Sequence, residues 1–243
     1  MEAYFFVVLG WFCGSIAGGA TGLGSMMIAL PILSLGIPAS KAVLVSCLIG
    51  VPACMQMAWL YRKYVIWSEL RWMVLGCIPG CVLGALTLKV VPVGYLQIMI
   101  SAMIFIFVTL QLFSRKATWT LGDSNGWGVL AGFGGGFAHG SVSVVGVPIG
   151  IYVLLKRWER DRARACMSGF FLFSGFITMV SQWAVGLYEV ELVKLAAAGL
   201  VGSLVGQRVG FQLGRRLDQK LFVRFVLFFL TMSACILFYK GIQ

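Results

Sequence analysis

The sequence predicts an all-α integral membrane protein of two inverted-topology repeats, each a broken-helix hairpin followed by three transmembrane helices. Of its 243 residues, 60% are hydrophobic and 11% are charged, and the mean hydropathy is +0.96. Uncharged stretches long enough to cross a bilayer indicate spanning helices, and their polarity does not alternate as barrel strands would require. A glycine-rich stretch at 14–31 recurs at 131–148, which indicates an internal repeat.

The first predicted repeat covers 1–115. It begins with a hairpin over 4–36, whose apolar arms are 4–20 and 24–36, and continues with spans at 39–61, 67–88 and 93–113. A helix of about 14 residues covers only ~21 Å of a ~30 Å hydrocarbon core. The arms are therefore predicted to be half-helices with their glycine-rich joint inside the membrane. Such backbone is tolerated only where it is buried in protein or lines a wet cavity.

The second predicted repeat covers 124–243, after a cytoplasmic linker at 116–123. Its hairpin spans 126–155, with arms 126–141 and 143–155, and its spans are 165–187, 191–210 and 221–239. Pro31 and Pro148 lie 117 residues apart, whereas Ser46 and Ser168 lie 122 apart, as do Gln56 and Thr178. The second copy thus has five extra residues, which fit in the basic loop 156–164.

The distribution of basic residues predicts the orientation of the chain. With the N-terminus outside, only four of the 19 lysines and arginines lie outside and the remaining fifteen lie inside, as the positive-inside rule requires. The four are Lys41, Lys89, Lys194 and Lys240. This asymmetry explains the net charge of +11 without a nucleic-acid partner, and we expect the basic loops to contact anionic lipids.

Glycines four residues apart mark two predicted helix-packing faces. The ladders are Gly76, Gly80 and Gly84, and Gly202, Gly206, Gly210 and Gly214. The seven cysteines all lie in apolar segments without a CxxC pair, so they are interpreted as packing residues, with no metal and no cofactor expected. An embedded enzyme that uses Cys47, Cys54 or Cys166 stays open as a minor alternative.

All eight carboxylates fall in loops or at the ends of spans. This placement disfavours a cation substrate and a carboxylate proton relay. The sequence also lacks HExxH, GxSxG and Walker A motifs, so no enzymatic activity is predicted.

The candidate site consists of the two hairpin joints. The second arm of each hairpin begins near the bilayer centre, at Gly24–Ser25 and at Ser141–Ser143, and exposes unpaired N–H groups and a positive dipole end. Two such ends converging in a low dielectric would bind an anion. His139, the only histidine, lies in the second joint and is a candidate for a substrate or proton role. The full candidate set is Thr21, Gly22, Gly24, Ser25, Ser46, Gln56, His139, Gly140, Ser141, Ser143, Ser168 and Thr178. For each hydroxyl the alternative is a bond to its own helix backbone.

Several segments together resemble the sulfite exporter TauE/SafE family over nearly the whole chain. They are LSLGIPASKAVLVS after Pro31, GFGGGFAHGSVSVVGVPIGIYVLL, ARACMSGFF and GLVGSLVGQRVGFQLGRRL. The resemblance implies a multi-pass bacterial inner-membrane permease for small organic or sulfur-containing anions. The distribution of basic residues predicts that both termini are periplasmic. The chain departs from the family's glycine-rich pattern at Ala20 and Thr21, and it carries His139 in the second joint.

The function expected from these observations is a secondary transporter that exports sulfite or a related sulfonate by alternating access. An anion channel and an importer of a related oxyanion are the alternatives. The expected partners are the small anion and membrane lipids, and a homodimer stays open.

Overall fold

The structure, a computed structural model, describes the backbone of residues 2–21, 25–113, 121–122, 124–216 and 219–242. These residues form ten α-helices and one short 3₁₀ turn, Arg62–Tyr64. The helices are α1 (Glu2–Thr21), α2 (Ser25–Gly36), α3 (Ala39–Tyr61), α4 (Trp67–Val90), α5 (Val93–Phe113), α6 (Asn125–Val142), α7 (Gly146–Leu155), α8 (Arg160–Ala184), α9 (Val190–Arg216) and α10 (Gln219–Ile242).

Five helices in the described part of the chain are long and apolar enough to cross a membrane, namely α1, α3, α4, α8 and α9. Shorter apolar stretches lie in α2, α5 and α7. The protein is therefore an all-helical, multi-pass membrane protein in its described residues, as the composition predicted. The predicted linker falls mostly outside the described residues.

The first arms of the hairpins are longer than half-helices. Helix α1 has 20 residues and α6 has 18, so they reach ~30 Å and ~27 Å at 1.5 Å per residue. Only α2, with 12 residues, and α7, with 10, have the length of half-helices. The glycines did not shorten α1 and α6 because, as described below, they pack against neighbouring helices.

Two later helices also differ from their predicted bounds. Helix α8 begins at Arg160, five residues before the predicted span, and α9 continues to Arg216, six residues beyond it. Hydropathy marks the apolar part of a helix and omits polar turns at its ends. Asp161 lies in the first turn of α8, where a negative charge favours the helix dipole.

The chain divides into two compact units that interleave along the sequence. Unit 1 comprises residues 1–49, 91–108 and 188–243, and unit 2 comprises 50–90 and 109–187. Helix α3 contributes its first half to unit 1 and its second half to unit 2.

In unit 1, α1 packs between α2 and α9. A Cβ atom on Gly14 would overlap the carbonyl oxygen of Ser25 in α2. On the other side, the ladder Gly202, Gly206 and Gly210 of α9 lies against the carbonyls of Val8, Phe12 and Ile16. A buried hydrogen bond of 2.9 Å between the hydroxyls of Ser15 and Ser203 joins the same two helices.

In unit 2, α6 packs along α4 through glycines on both helices. The ladder Gly76, Gly80 and Gly84 lies against the carbonyls of Val129, Phe133 and Phe137. In return, Gly132, Gly136 and Gly140 of α6 lie against the carbonyls of Met73, Cys77 and Cys81. Both predicted ladders are therefore packing faces. For Gly214, the last glycine of the second ladder, the surroundings lie outside the described part of the chain.

Candidate functional site

The second hairpin reverses direction between α6 and α7, in unit 2. Ser143 adopts a left-handed backbone conformation with φ 56° and caps the end of α6. Its N–H donates to the carbonyl of His139, and the N–H of Val144 donates to that of Ala138. The chain then enters α7 at Gly146 rather than at Ser141 or Ser143, because those serines belong to the last turn and cap of α6.

The N-terminus of α7 carries no side-chain cap, since Val145 occupies the cap position. Pro148 has no N–H, so the first turn offers the N–H groups of Gly146 and Val147 as potential donors. The C-terminal end of α6 presents carbonyl acceptors. Gln182 satisfies one of them, because its side-chain nitrogen donates to the carbonyl of Gly140 at 3.1 Å. At the joint, α7 therefore still offers N–H donors, whereas the Gly140 carbonyl of α6 already accepts a hydrogen bond.

His139 lies in the last turn of α6 and is 1% exposed. Its Nδ1 lies 2.8 Å from the Oγ of Ser174 in α8, whereas its Nε2 is buried without a hydrogen-bond partner among the described residues. A Cβ atom on Gly175 would lie 3.4 Å from the Cε1 of the ring, so the missing side chain at 175 makes room for the imidazole. His139, the residue predicted to have a substrate or proton role, thus has one nitrogen in a hydrogen bond and one without a partner among the described residues.

A stripe of polar residues on α8 faces this histidine and helix α4. Ser174, Thr178 and Gln182 are spaced four apart, which places them on one helix face, and each is completely buried. Thr178 donates to the Sγ of Cys81 at 3.1 Å, and that Sγ lies 3.7 Å from the carbonyl of Ser174. The Sγ atoms of Cys77 and Cys81 are 3.3 Å apart.

His139 and Thr178 were predicted from the sequence, whereas Ser174 and Gln182 were not. The spacing of polar residues at 174, 178 and 182 in an apolar helix was the available signal. Cys77 and Cys81 were interpreted only as packing residues, yet their thiols take part in this polar network. Within the described residues, no three His, Cys, Asp or Glu side chains lie close enough together to hold a metal ion.

The other candidate residues of unit 2 have separate environments. Ser141 donates to the carbonyl of Phe137 at 2.7 Å, and Ser168 donates to that of Ala165 at 3.1 Å, as hydroxyls in apolar helices usually do. Gln56 lies in α3 with an exposed side chain, unlike Thr178, its predicted counterpart. The structure therefore brings His139, Gly140 and Thr178 into one network. Ser141, Ser168 and Gln56 lie outside it.

In unit 1, Ser25 begins α2 and lies against Gly18 of α1. Ser46 is completely buried in α3, and its Oγ has no hydrogen-bond partner among the described residues. The side chain of Thr21 lies outside the described residues, as do Gly22 and Gly24 entirely. The predicted start of α2 at Gly24–Ser25 agrees with the observed start at Ser25.

No curated protein and no solved structure matched the chain. The sequence profile described as "Sulfite exporter TauE/SafE" matches residues 6–237 of the 243. This match covers α2 to α9 in full and most of α1 and α10, and it includes the network around His139. The chain therefore belongs to the sulfite exporter TauE/SafE family, a family of membrane transporters for sulfite or related anions.

Proposed function

We propose that the protein is a secondary transporter that exports sulfite or a small sulfonate across the bacterial inner membrane by alternating access. Family membership over residues 6–237 supports the transport of such an anion. The observation that carries the site is the Nε2 of His139, which is buried beside the joint of the second hairpin and has no hydrogen-bond partner among the described residues. A buried polar atom without a partner is costly, so its retention is consistent with a ligand-binding role.

The anion is proposed to bind where the second hairpin reverses, in contact with the N-terminal end of α7. The N–H groups of Gly146 and Val147 and the hydroxyl of Ser143 are the donors suggested for its oxygens. A helix N-terminus favours a negative charge because its N–H groups are unpaired and its dipole end is positive. In the first hairpin, Ser25 and the preceding residues Thr21, Gly22 and Gly24 are proposed to offer donors of the same kind.

An inverted repeat is proposed as the basis of alternating access. Each unit contains the first helix of one hairpin packed along a glycine ladder from the other sequence copy, α1 along α9 and α6 along α4. This shared arrangement supports an internal symmetry. The fifteen basic residues predicted on one side support a cytoplasmic location for them and periplasmic termini.

The binding of anions can be tested by thermal denaturation of the detergent-purified protein with sulfite, sulfate, thiosulfate, sulfoacetate and short carboxylates. We expect sulfite or a sulfonate to raise the melting temperature selectively, because a ligand at 100 times its Kd stabilises the folded state by about 2.7 kcal/mol. Saturable counterflow in proteoliposomes should accompany this stabilisation. Flux without trans-stimulation would instead indicate a channel.

Replacement of Ser143 by glycine tests the joint itself. Glycine accepts the left-handed φ of 56° without strain and removes the CH2OH group with its hydroxyl. We expect sulfite to bind about tenfold more weakly, since a hydrogen bond to a charged group contributes roughly 1.5–3 kcal/mol. Thr87→Val is the control, because the Thr87 hydroxyl bonds only to the carbonyl of Leu83 in its own helix and is exposed. Unchanged sulfite affinity in the Ser143 variant would exclude this hydroxyl from the site.

A further inference from the structure

We assign the proton of the neutral His139 ring to Nδ1, and the assignment follows from giving the Ser174 hydroxyl proton to a carbonyl of its own helix. The Oγ of Ser174 lies 3.3 Å from the carbonyl of Phe171, to which it donates, and 2.8 Å from the Nδ1 of His139. A hydroxyl has one proton, so when it is given to Phe171 the Oγ accepts from Nδ1–H. The neutral ring then holds its lone pair on Nε2, the nitrogen that has no hydrogen-bond partner in the part of the chain that the structure describes.

Among the described residues, the groups of the polar network that reaches His139 are neutral. From α4 they are the thiols of Cys77 and Cys81, and from α8 they are Ser174, Thr178 and Gln182, whose hydrogen bonds are made to other groups or to Nδ1. From the second half of α3, Val51 approaches Gly175 beside the ring. On α7 the nearest titratable side chain is Tyr152, which donates to Glu69. The lone pair of Nε2 is thus positioned to take a proton or to accept a hydrogen bond from a ligand.

An anion in this place needs a compensating charge. In the described part of unit 2, every lysine and arginine lies at a helix end or in a loop, so none is available beside the joint. Burying an isolated anion in a low dielectric is strongly unfavourable, whereas burying it beside a cation is much less so. An imidazolium at His139 would supply that charge.

We propose, on the basis of the transport function proposed above, that His139 takes up one proton as the anion binds and that anion and proton cross the membrane together. The lone pair of Nε2 accepts a proton from water on the loading side and forms imidazolium. The proton returns to water on the release side when the anion leaves. No covalent bond to the anion forms, and Ser174 positions the ring by accepting from Nδ1–H.

The proposal can be tested with the full chain in proteoliposomes that contain a pH-sensitive dye, with the membrane potential clamped. Sulfite and methanesulfonate are the probes, since methanesulfonate carries no proton of its own near neutral pH. We expect an inward gradient of either anion to acidify the lumen in the wild type. His139→Asn keeps a donor toward Ser174 but lacks Nε2, and we expect it to reduce the proton flux at least tenfold.

Two further variants separate proton coupling from a structural role. Ser174→Ala removes the acceptor for Nδ1–H, so the imidazolium is less stabilised and the pH of half-maximal flux should move lower. Ser181→Ala is the matched control on α8, because its hydroxyl bonds only to the carbonyl of Ile177, and its pH profile should equal that of the wild type.

The outcomes distinguish the two proposals. Anion flux in the wild type without proton movement, or unchanged coupling in His139→Asn, overturns the coupling and leaves the transport function standing. An unchanged pH profile in Ser174→Ala also contradicts the coupling. If the wild type moves and binds neither anion, the proposed function fails and the coupling fails with it.

Discussion

Replacement of Gly136 by alanine is expected to destabilise the protein, whereas the same replacement at Gly134, two residues earlier, is expected to be neutral or slightly stabilising. A Cβ atom on Gly136 would lie 2.5 Å from the carbonyl oxygen of Cys77 and 3.0 Å from its Cα. These are backbone atoms, so the overlap can be relieved only by moving α4 away from α6. Overpacking of this kind typically costs about 1–3 kcal/mol.

At Gly134 the nearest atom to an added Cβ is the Cβ of Pro148, at an ordinary contact distance of 3.5 Å. Alanine has a higher helix propensity than glycine, by about 1 kcal/mol, so this difference decides the sign of the stability change. Midpoints of thermal denaturation of the two detergent-purified variants should therefore move in opposite directions, or fall only for Gly136→Ala. Equal midpoints would contradict close packing of α4 on α6 through this glycine.

The helices were predictable to the extent that hydropathy and glycine spacing reflect local properties. The spans at 39–61 and 93–113 agree with α3 and α5 to the residue. The lengths of α1 and α6 were harder, because isolated glycines weaken a helix. What stabilises α6 is its contact with α4, and no local pattern in 131–148 reveals that partner.

The candidate site was predictable where a residue was chemically unusual. His139 is the only histidine, and the structure gives it a buried, uncommitted nitrogen. Ser141 was indistinguishable by sequence from a ligand-binding serine, yet its hydroxyl bonds to its own helix. Ser174 was missed because its importance comes from the contact with His139, 35 residues away along the chain.

Replacement of Glu69 by glutamine is expected to destabilise unit 2 through a buried ion pair. The carboxylate of Glu69, at the start of α4, accepts from the Nζ of Lys156 at 3.1 Å and from the hydroxyl of Tyr152 at 2.5 Å. The side chain of Lys156 is 6% exposed and that of Glu69 is 24% exposed. These hydrogen bonds link the C-terminal end of α7 to the start of α4.

Glutamine retains an oxygen for Tyr152 but removes the negative charge that faces the buried ammonium of Lys156. Removing one partner of a buried pair costs about 3–5 kcal/mol, and we expect the lower end because Glu69 is partly exposed. The double variant Glu69→Gln, Lys156→Met removes both charges and should recover much of the loss, since an apolar replacement of a buried pair is often neutral. Such recovery distinguishes an uncompensated charge from a lost hydrogen bond.

The matched control is the ion pair between Lys41 and Glu189, whose atoms lie 3.3 Å apart with side chains 40% and 63% exposed. Exposed pairs contribute at most about 1 kcal/mol, so Glu189→Gln should leave the denaturation midpoint almost unchanged. The two single variants remove the same charge by the same chemistry, and they differ in the burial of the cation left behind. A midpoint for Glu69→Gln as high as that for Glu189→Gln would show that the ammonium of Lys156 reaches water, and α7 would then depend on its apolar contacts alone.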